Sequence, residues 1–401
     1  MVTRSYFRRF AGACLFVCLY ATGLPLLAQH GHRHAGAPMG GAGDELGSSA
    51  VFDSKGVLWA VASQDQHVVL RRSTDFGRTW SQPANVNATP EPIGADGDAR
   101  PRIAIAADGA IYVTWTRPLS KPYTGFIRFA RSLDQGNTFD APVTVHADRQ
   151  EITHRFDSIA VDREGRLYIA WVDKRDGEAA RASGGPYAGA ALYFAVSVDR
   201  GATFRGDFKL ADHSCECCRI ALLPRDDGTV TAFWRHVFPA NVRDHALARL
   251  HPDGRVDGFR RATFDNWVVE ACPHHGPSLA EDARGRLHAV WFSQGTAHSG
   301  ALYGRLRDGG VDNLRRLGGE TAEHPDIAID GQAIAVVWKE FDGTRSHLRG
   351  MLSADGGSTW RNVAVGATSG PSDQPRLLIY NHRFHVFWNT RQEPFSVFAL
   401  S

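Results

Sequence analysis

The sequence predicts an all-β protein, a β-propeller of four-stranded blades, and three observations support this prediction. An eight-residue turn signature occurs four times in the 401 residues. A pair of apolar strands, the second usually ending in Trp, recurs out of phase with that signature. Successive turns are spaced between 65 residues, from Asp134 to Asp199, and 47 residues, from Asp308 to Asp355, which suits one four-stranded blade per interval.

The turn signature reads Ser-x-Asp-x-Gly-x-Thr followed by Trp or Phe. Ser and Asp side chains can hydrogen bond to the backbone of a tight turn, Gly supplies a positive φ, and the aromatic residue packs the hairpin onto its sheet. These turns therefore have a structural role. The four copies span 73–80, 132–139, 197–204 and 353–360, with Asp75, Asp134, Asp199 and Asp355 at the acidic position.

The strand pairs number seven. Apolar residues alternate within each copy, as in Leu167, Ile169 and Trp171, which is the period-two pattern of half-buried strands. Only one further strand, 396–400, follows the seventh copy, so the segment near 40–47 is predicted to complete the last blade. The copies lie at 50–62, 102–115, 159–171, 220–234, 279–291, 327–338 and 377–388, with degenerate turns at Asp253 and Asp308.

The turn signature resembles the Asp box of the sialidase-like (BNR-repeat) β-propellers. The resemblance covers essentially the whole of the predicted propeller domain, 48–401. It implies that the boxes join the two outer strands of a blade on the face opposite the active site. Sialidases have six blades, so six is the alternative to the seven counted here.

The N-terminus predicts export. Arg4, Arg8 and Arg9 precede an apolar run, so 1–28 is predicted to be a signal peptide, with a signal anchor as the alternative. The protein is then periplasmic or secreted, and no transmembrane segment remains after cleavage. Residues 29–47 are rich in His and Gly, and either collect Cu, Ni or Zn loosely or form a solvated linker.

The charge balance argues against nucleic acid as a partner. The predicted signal peptide contains three arginines and no acidic residue, so its removal takes the formal charge from +2 to −1. A chain with this balance has no electrostatic attraction for a polyanion. An anionic carbohydrate or a small ligand is the expected partner, and a monomer is the expected state.

The loops that enter the inner strands of a propeller, and those that join its second and third strands, open on one face around the channel. Arg, His and Cys are frequent in these loops here, which favours a ligand site over ion pairs that only fix the loops. The predicted ligand-binding residues are His154, His236, Arg243, Asp244, His324 and Asp326.

The mature chain keeps four cysteines, three of them in the run 213–219 and the fourth at Cys272. In an oxidising compartment the least strained pairing joins Cys215 to Cys218 and Cys217 to Cys272. The alternative is a Cu(I) or Zn site in which these thiolates act with His274 or His275. A nucleophilic or redox-active cysteine is the third reading.

The resemblance also implies catalytic roles. Sialidases hold the substrate carboxylate with three arginines, use a Tyr activated by a Glu as nucleophile, and an Asp as acid and base. No nucleophilic Tyr is evident here, although Tyr123 and Tyr187 lie in loops. The positions that match in part are Arg102, Arg155 and Arg219 for the arginines and Glu340 for the base, with Asp157 grouped as a candidate catalytic residue.

Three functional hypotheses follow. The first is a secreted sialidase-like propeller that binds an anionic glycan, with sialidase-type hydrolysis left open. The second is a non-enzymatic periplasmic propeller with a Cys and His metal site at the channel mouth. The third is an assembly or adhesion scaffold, since propellers also serve to display loops.

Overall fold

A computed structural model describes residues 45–400. The predicted signal peptide, 1–28, and residues 29–44 of the His- and Gly-rich segment lie outside the described residues. Between 45 and 400 the chain forms seven antiparallel sheets, each built from strands that are consecutive in sequence.

The first four sheets have four strands each. Their order in every sheet follows the order of the chain, from an inner strand to an outer one. They are blade 1, β1 (Ser48–Phe52), β2 (Leu58–Gln64), β3 (His67–Ser73) and β4 (Ala84–Asn85); blade 2, β5 (Arg102–Ile105), β6 (Ile111–Pro118), β7 (Gly125–Ser132) and β8 (Val143–Thr144); blade 3, β9 (His154–Val161), β10 (Leu167–Asp173), β11 (Ala190–Ser197) and β12 (Arg205–Ser214); and blade 4, β13 (Ala221–Pro224), β14 (Val230–Arg235), β15 (His245–Leu250) and β16 (Val256–Arg261).

The remaining sheets complete the set. They are blade 5, β17 (Ser278–Glu281), β18 (Leu287–Gln294), β19 (Ser299–Arg307) and β20 (Gly310–Leu317); blade 6, β21 (Ala322–Asp330), β22 (Ala333–Phe341), β23 (Ser346–Ser353) and β24 (Arg361–Thr368); and blade 7, β25 (Arg376–Tyr380), β26 (Arg383–Trp388) and β27 (Ser396–Leu400).

The sheets close into a ring. The inner strands β1, β5, β9, β13, β17, β21 and β25 contact one another in chain order, and β25 packs against β1. Tryptophans on the second strands, such as Trp115, Trp171 and Trp291, are fully buried between blades. This confirms the predicted β-propeller with seven blades, and the six-bladed alternative is wrong.

Blade 7 differs from the prediction. Within the described residues it has three strands, and the part of the N-terminal segment that is described, 45–47, is not a strand. Instead the N–H of Gly47 donates to the carbonyl of Ala95 at 2.9 Å, and the carbonyl of Leu46 accepts from Asn389 Nδ2 at 2.9 Å. The backbone of these residues is thus used by loops of neighbouring blades and cannot form the fourth strand.

The four Asp boxes lie between the third and fourth strands of blades 1, 2, 3 and 6 and share one hydrogen-bond pattern. In the first, Ser73 Oγ donates to Asp75 Oδ1 at 2.7 Å and the Thr79 hydroxyl donates to Asp75 Oδ2 at 2.6 Å. Hydrogen bonds from Thr79, and then from Ser73, lower the pKa of Asp75 to about 2. The predicted structural role of the boxes is confirmed.

Helix is scarce, as predicted. Between residues 45 and 400 it is limited to α1 (Arg175–Ala182) and a short 3-10 turn (Pro239–Asn241), which lie in the long loops of blades 3 and 4. Neither has the length and apolar character that a helix needs to cross a bilayer.

Candidate functional site

The inner strands all begin on the same face of the ring, called here the channel face, and Asp98 lies at its centre. Asp98 Oδ2 accepts the backbone N–H groups of Arg219 at 3.2 Å and Gly276 at 3.0 Å. Asp98 Oδ1 accepts Arg219 Nη1 at 3.1 Å, and its carbonyl accepts Arg102 Nη2 at 2.9 Å. One buried residue therefore joins the loops that enter blades 2, 4 and 5.

Arg219 extends from the entrance of blade 4 to three further blades. Its Nε donates to the carbonyl of Pro277 at 2.9 Å, Nη1 to Gln374 Oε1 at 2.9 Å, and Nη2 to the carbonyl of Pro325 at 3.4 Å. These partners belong to blades 5, 7 and 6. The guanidinium is buried and committed to protein acceptors, so it fills the channel mouth and does not face a ligand.

Several arginines surround the Asp98 carboxylate. Burial raises its pKa, but the charges of Arg219, Arg100 and Arg376 outweigh burial and hold the pKa well below the usual range. Gly276 is required for this close packing, because a Cβ there would lie 2.2 Å from Arg219 Cγ. The channel mouth is thus a packed polar core in which the Asp98 carboxylate stays ionised.

Arg102 and Asp157 belong to the same core. Arg102 Nε donates to the carbonyl of Asp157 at 3.0 Å, and the Asp157 carboxylate accepts the hydroxyls of Thr114 at 2.6 Å and Thr116 at 3.3 Å. Burial raises the pKa of Asp157. Arg155 lies with its guanidinium 4.7 Å from the Phe156 ring centroid. The three predicted arginines therefore share one face, but each already contacts protein groups.

Glu340 lies apart from this core. Its carboxylate accepts the N–H of Gly319 at 2.8 Å and the indole N–H of Trp338 at 3.4 Å, as Asp173 accepts that of Trp171 in blade 3. This arrangement is a structural cap on a buried indole.

Tyr187 does not have the character of a nucleophile. Its hydroxyl donates to Asp212 at 2.8 Å, and burial together with Asp212 raises the pKa of the phenol. A nucleophilic phenolate needs the opposite shift.

Four predicted ligand-binding residues are engaged inside blades or at loop junctions. His154 stacks on His146 with ring centroids 3.9 Å apart. The His236 ring packs edge-on against Phe238 at 4.6 Å, and burial lowers the pKa of His236 to about 4. Each therefore has a local structural role in place of an open position on the channel face. Asp244 accepts from Arg261 and from the N–H of Asn266, and Asp326 accepts the N–H of Leu377.

The three cysteines of the entrance to blade 4 form a thiol cluster, Cys215, Cys217 and Cys218. Their Sγ atoms are 3.7 Å (Cys215 to Cys217), 3.9 Å (Cys217 to Cys218) and 3.7 Å (Cys218 to Cys215) apart, and all three are buried. A disulfide requires about 2.05 Å. Neither predicted bridge, Cys215–Cys218 or Cys217–Cys272, is seen, and all four described cysteines are free.

Positive charge surrounds the thiol cluster. Arg243 Nη1 lies 3.8 Å from Cys215 Sγ, and the backbone N–H of Cys215 donates to the carbonyl of Arg235 at 3.0 Å. Hydrogen bonds from Cys217 and Cys218, followed by the charges of these two arginines, hold the pKa of Cys215 well below its usual range. Arg243, predicted to bind a ligand, thus favours a thiolate at Cys215. The hydrogen bonds to Cys215 raise the pKa values of Cys217 and Cys218.

Cys272 is exposed and lies at the rim of the thiol cluster. It shares a hydrogen bond with Cys217, which lowers the pKa of Cys272. It is the one described cysteine that reaches solvent.

The histidines predicted to act with the cysteines do not join them. His274 is exposed, and the His275 ring stacks on Phe292 at 4.1 Å and lies 4.5 Å from the His324 ring. One possible ligand atom from each of His275, Glu323 and His324 lies within 4.8 Å of the other two. Of the six predicted metal ligands, three form the thiol cluster, and His275 belongs to this second group, called here the imidazole cluster. Cys272 and His274 belong to neither group.

A polar cavity of about 190 Å³ opens beside the thiol cluster, in the long loop of blade 3. Lys174 and Glu216, whose charged groups are 2.6 Å apart, form one wall, and Arg181 and Tyr187 form another. Three glycines, Gly177, Gly185 and Gly189, complete the lining and leave the cavity open.

No protein-family model matches the chain, and no curated protein matches its sequence. Among solved structures, polysaccharide lyase Uly1 matches with a TM-score of 0.53 and 11% identity, over 88% of this chain and 89% of the lyase. A polysaccharide lyase of family PL25, an ulvan lyase bound to -[GlcA(1-4)Rha3S]-, matches with a TM-score of 0.51 and 11% identity, over 87% and 90%.

The α-L-arabinanase of Penicillium chrysogenum, complexed with arabinobiose, matches with a TM-score of 0.50 and 14% identity, over 75% of this chain and 92% of the arabinanase. At these identities the matches establish the fold. The seven sheets and these matches together show that the chain has the β-propeller fold.

Proposed function

We propose that this propeller binds one soft metal ion, Cu(I) or Zn(II), in the thiol cluster. The observation that carries the proposal is the sulfur triangle with edges of 3.7, 3.7 and 3.9 Å. An ion at its centre would lie about 2.2 Å from each sulfur, close to the Zn–S bond length of about 2.3 Å. The three thiols are thus spaced as ligands of one ion.

The chemistry of the donors supports this choice. Thiolates are soft ligands that favour Cu(I) and Zn over hard cations. The positive charges of Arg243 and Arg235 offset part of the charge of three thiolates, which burial alone would disfavour. Exposed Cys272, hydrogen bonded to Cys217, offers an entry path and a fourth ligand for tetrahedral zinc.

Metal analysis of the reduced mature chain tests this function. We expect one Cu(I) per chain, retained in competition with a chromogenic Cu(I) chelator. Cys217→Ser should weaken binding by more than about 100-fold, because loss of an outer-shell partner alone weakens metal binding by up to about 100-fold and Cys217 is a direct ligand. Cys272→Ser is the matched control, because it should retain Cu(I) and weaken zinc alone. A chain that binds neither ion, or a C217S variant that binds as the parent does, would refute the proposal.

A second candidate function is binding of an anionic glycan at the channel face, which is compatible with metal binding. Its support is the cavity of about 190 Å³, which carries Lys174, Arg181 and Tyr187 beside an acidic Glu216. Guanidinium and ammonium groups bind carboxylates and sulfates, and an aromatic ring packs on a sugar. Two neighbours in fold are polysaccharide lyases, one of them bound to a glycan that contains GlcA and Rha3S.

Calorimetric titration with oligoglucuronate and with sialyllactose tests glycan binding. We expect Arg181→Ala to weaken binding by about tenfold, since a charge-assisted hydrogen bond contributes roughly 1.5 kcal/mol. Arg163→Ala is the control, because Arg163 is an exposed arginine in the turn at the opposite end of blade 3. The absence of heat with either sugar would end this candidate.

Hydrolysis is tested separately with fluorogenic sialosides and uronides. If Arg102, Arg155 and Arg219 serve a sialidase-type reaction, the protein should release the fluorophore from these substrates. In that case Asp157→Asn should abolish the release. The absence of turnover with both substrate classes would leave a binding protein.

A further inference from the structure

We propose that the imidazole cluster, His275, Glu323 and His324, is a second metal site, distinct from the thiol cluster, for a borderline divalent ion such as Zn(II), Ni(II) or Cu(II). The ring centroids of the two histidines are 4.5 Å apart, and one possible ligand atom from each of the three side chains lies within 4.8 Å of the others. Two imidazoles and one carboxylate form a recurrent donor set for such ions.

Both histidines hold a ring nitrogen that lacks a protein partner. The Nδ1 atoms of His275 and His324 are buried and have no hydrogen bond. A buried polar atom without a partner destabilises the fold, and native structures contain few of them. Sixteen such atoms occur in the described residues, and two of them meet in this cluster, where a bound ion would give a ring nitrogen its missing partner.

The chain positions these groups by local backbone features. His324 has a left-handed backbone, with φ of 50°, inside a bulge of β21 where the register shifts between Glu323 and Asp326. Bulges re-aim side chains and are frequent beside functional sites. The following carbonyl, that of Pro325, accepts Arg219 Nη2, so the bulge is anchored to the polar core.

His275 is fixed from two sides. Its ring stacks on Phe292, and its carbonyl accepts Arg235 Nη2 at 3.2 Å. The backbone carbonyl of Arg235 also accepts the N–H of Cys215. One arginine therefore holds the backbone of both clusters, which places the imidazole cluster beside the thiol cluster without sharing a ligand.

Lys339 pairs with one carboxylate oxygen of Glu323 and leaves the other oxygen, Oε2, for an ion. Lys339 Nζ lies 3.4 Å from Glu323 Oε1, while Oε2 lies 3.7 Å from His324 Nε2. The lysine also donates to the carbonyl of Ser372 at 3.4 Å, so its charge is shared with the entrance to blade 7. We expect the positive charge of Lys339 to limit the affinity of the site for a cation.

Cobalt(II) titration of the reduced mature chain distinguishes the two sites. The thiol cluster should give sulfur-to-cobalt charge-transfer absorption, and the imidazole cluster should give only the weaker d–d bands. His30, His32 and His34 would also take up cobalt, so alanine replaces them in every protein compared. In that background we expect two equivalents in the parent protein. His324→Ala should remove the second equivalent and keep the charge-transfer band, and Glu323→Gln should weaken the second equivalent by at least about tenfold.

Two controls keep the tests separate. His382→Ala, at an exposed histidine in the turn between β25 and β26, should change neither equivalent. The triple variant C215S/C217S/C218S should lose the charge-transfer band and still bind one Zn(II). Addition of H324A to the triple variant should abolish binding of that zinc ion. A parent chain that takes up no sulfur-free equivalent, or an H324A chain that retains both, overturns the second site. Loss of the charge-transfer band alone would bear only on the thiol cluster.

Discussion

Replacing Asp98 with alanine is expected to lower the free energy of unfolding by about 3–5 kcal/mol, the usual effect of removing one partner from a buried ion pair. The carboxylate accepts two backbone N–H groups and the guanidinium of Arg219, and Arg100 and Arg376 contribute further positive charge. The alanine variant leaves these groups buried, unpaired and mutually repulsive. Urea unfolding followed by tryptophan fluorescence measures the change.

Two further variants define the cause of that loss. Asp98→Asn keeps an oxygen acceptor and removes the charge, so its stability should lie between those of the parent and the alanine variant. Glu320→Ala removes an exposed carboxylate and should change stability by less than about 0.5 kcal/mol. Unfolding of D98A at the urea concentration of the parent would show that Asp98 is not the centre of the polar core.

The second large effect is expected at the junction that closes the ring. Asp373, at the entrance to blade 7, accepts Arg100 Nη1 at 2.8 Å and lies 2.7 Å from its Nη2. It also accepts the N–H of Ser48 at 3.0 Å, at the start of blade 1. Because the pair is fully buried, Asp373→Ala should lower the free energy of unfolding by about 3–5 kcal/mol in urea unfolding.

A double-mutant cycle isolates this pair. The variant R100A/D373A should lose less stability than the two single variants together, since it leaves no unpaired charge behind. The matched control is the exposed pair Arg163 and Asp226, 2.9 Å apart between blades 3 and 4, whose coupling should fall in the range of about 0–1 kcal/mol. Strict additivity at Arg100 and Asp373 would contradict a role in ring closure.

The fold could be predicted because its signals are local and repeated. The hydrogen bonds of an Asp box join residues within eight positions, as between Ser73, Asp75 and Thr79, so the turn can be recognised in the sequence. Blade 7 could not be predicted in the same way. Whether Leu46 and Gly47 form a strand depends on which loops reach them, here Asn389 and Ala95, and those contacts are far away in sequence.

The candidate site shows the limits of sequence spacing more clearly. The positions of Cys215 to Arg219 and of Cys272 to His275 predicted a shared face, but not which side chains meet. His275 contacts His324 and not the thiols because its ring stacks on Phe292. Asp98 and Glu323 were missed because lone acidic residues near glycine or histidine resemble ordinary loop residues. The run Gly-Asp-Ala-Arg at 97–100 was the only available signal for Asp98.

Arg219 has a consequence for how the chain folds. Its partners, Asp98, Pro277, Pro325 and Gln374, are contributed by segments from the second blade to the last, so they meet only when every blade is present. In open solenoids each repeat gains stability from its neighbours alone, and folding can proceed stepwise. Here an incomplete ring would leave the Arg219 charge without some of these partners, so we expect partially folded intermediates to be unstable and the ring to assemble cooperatively.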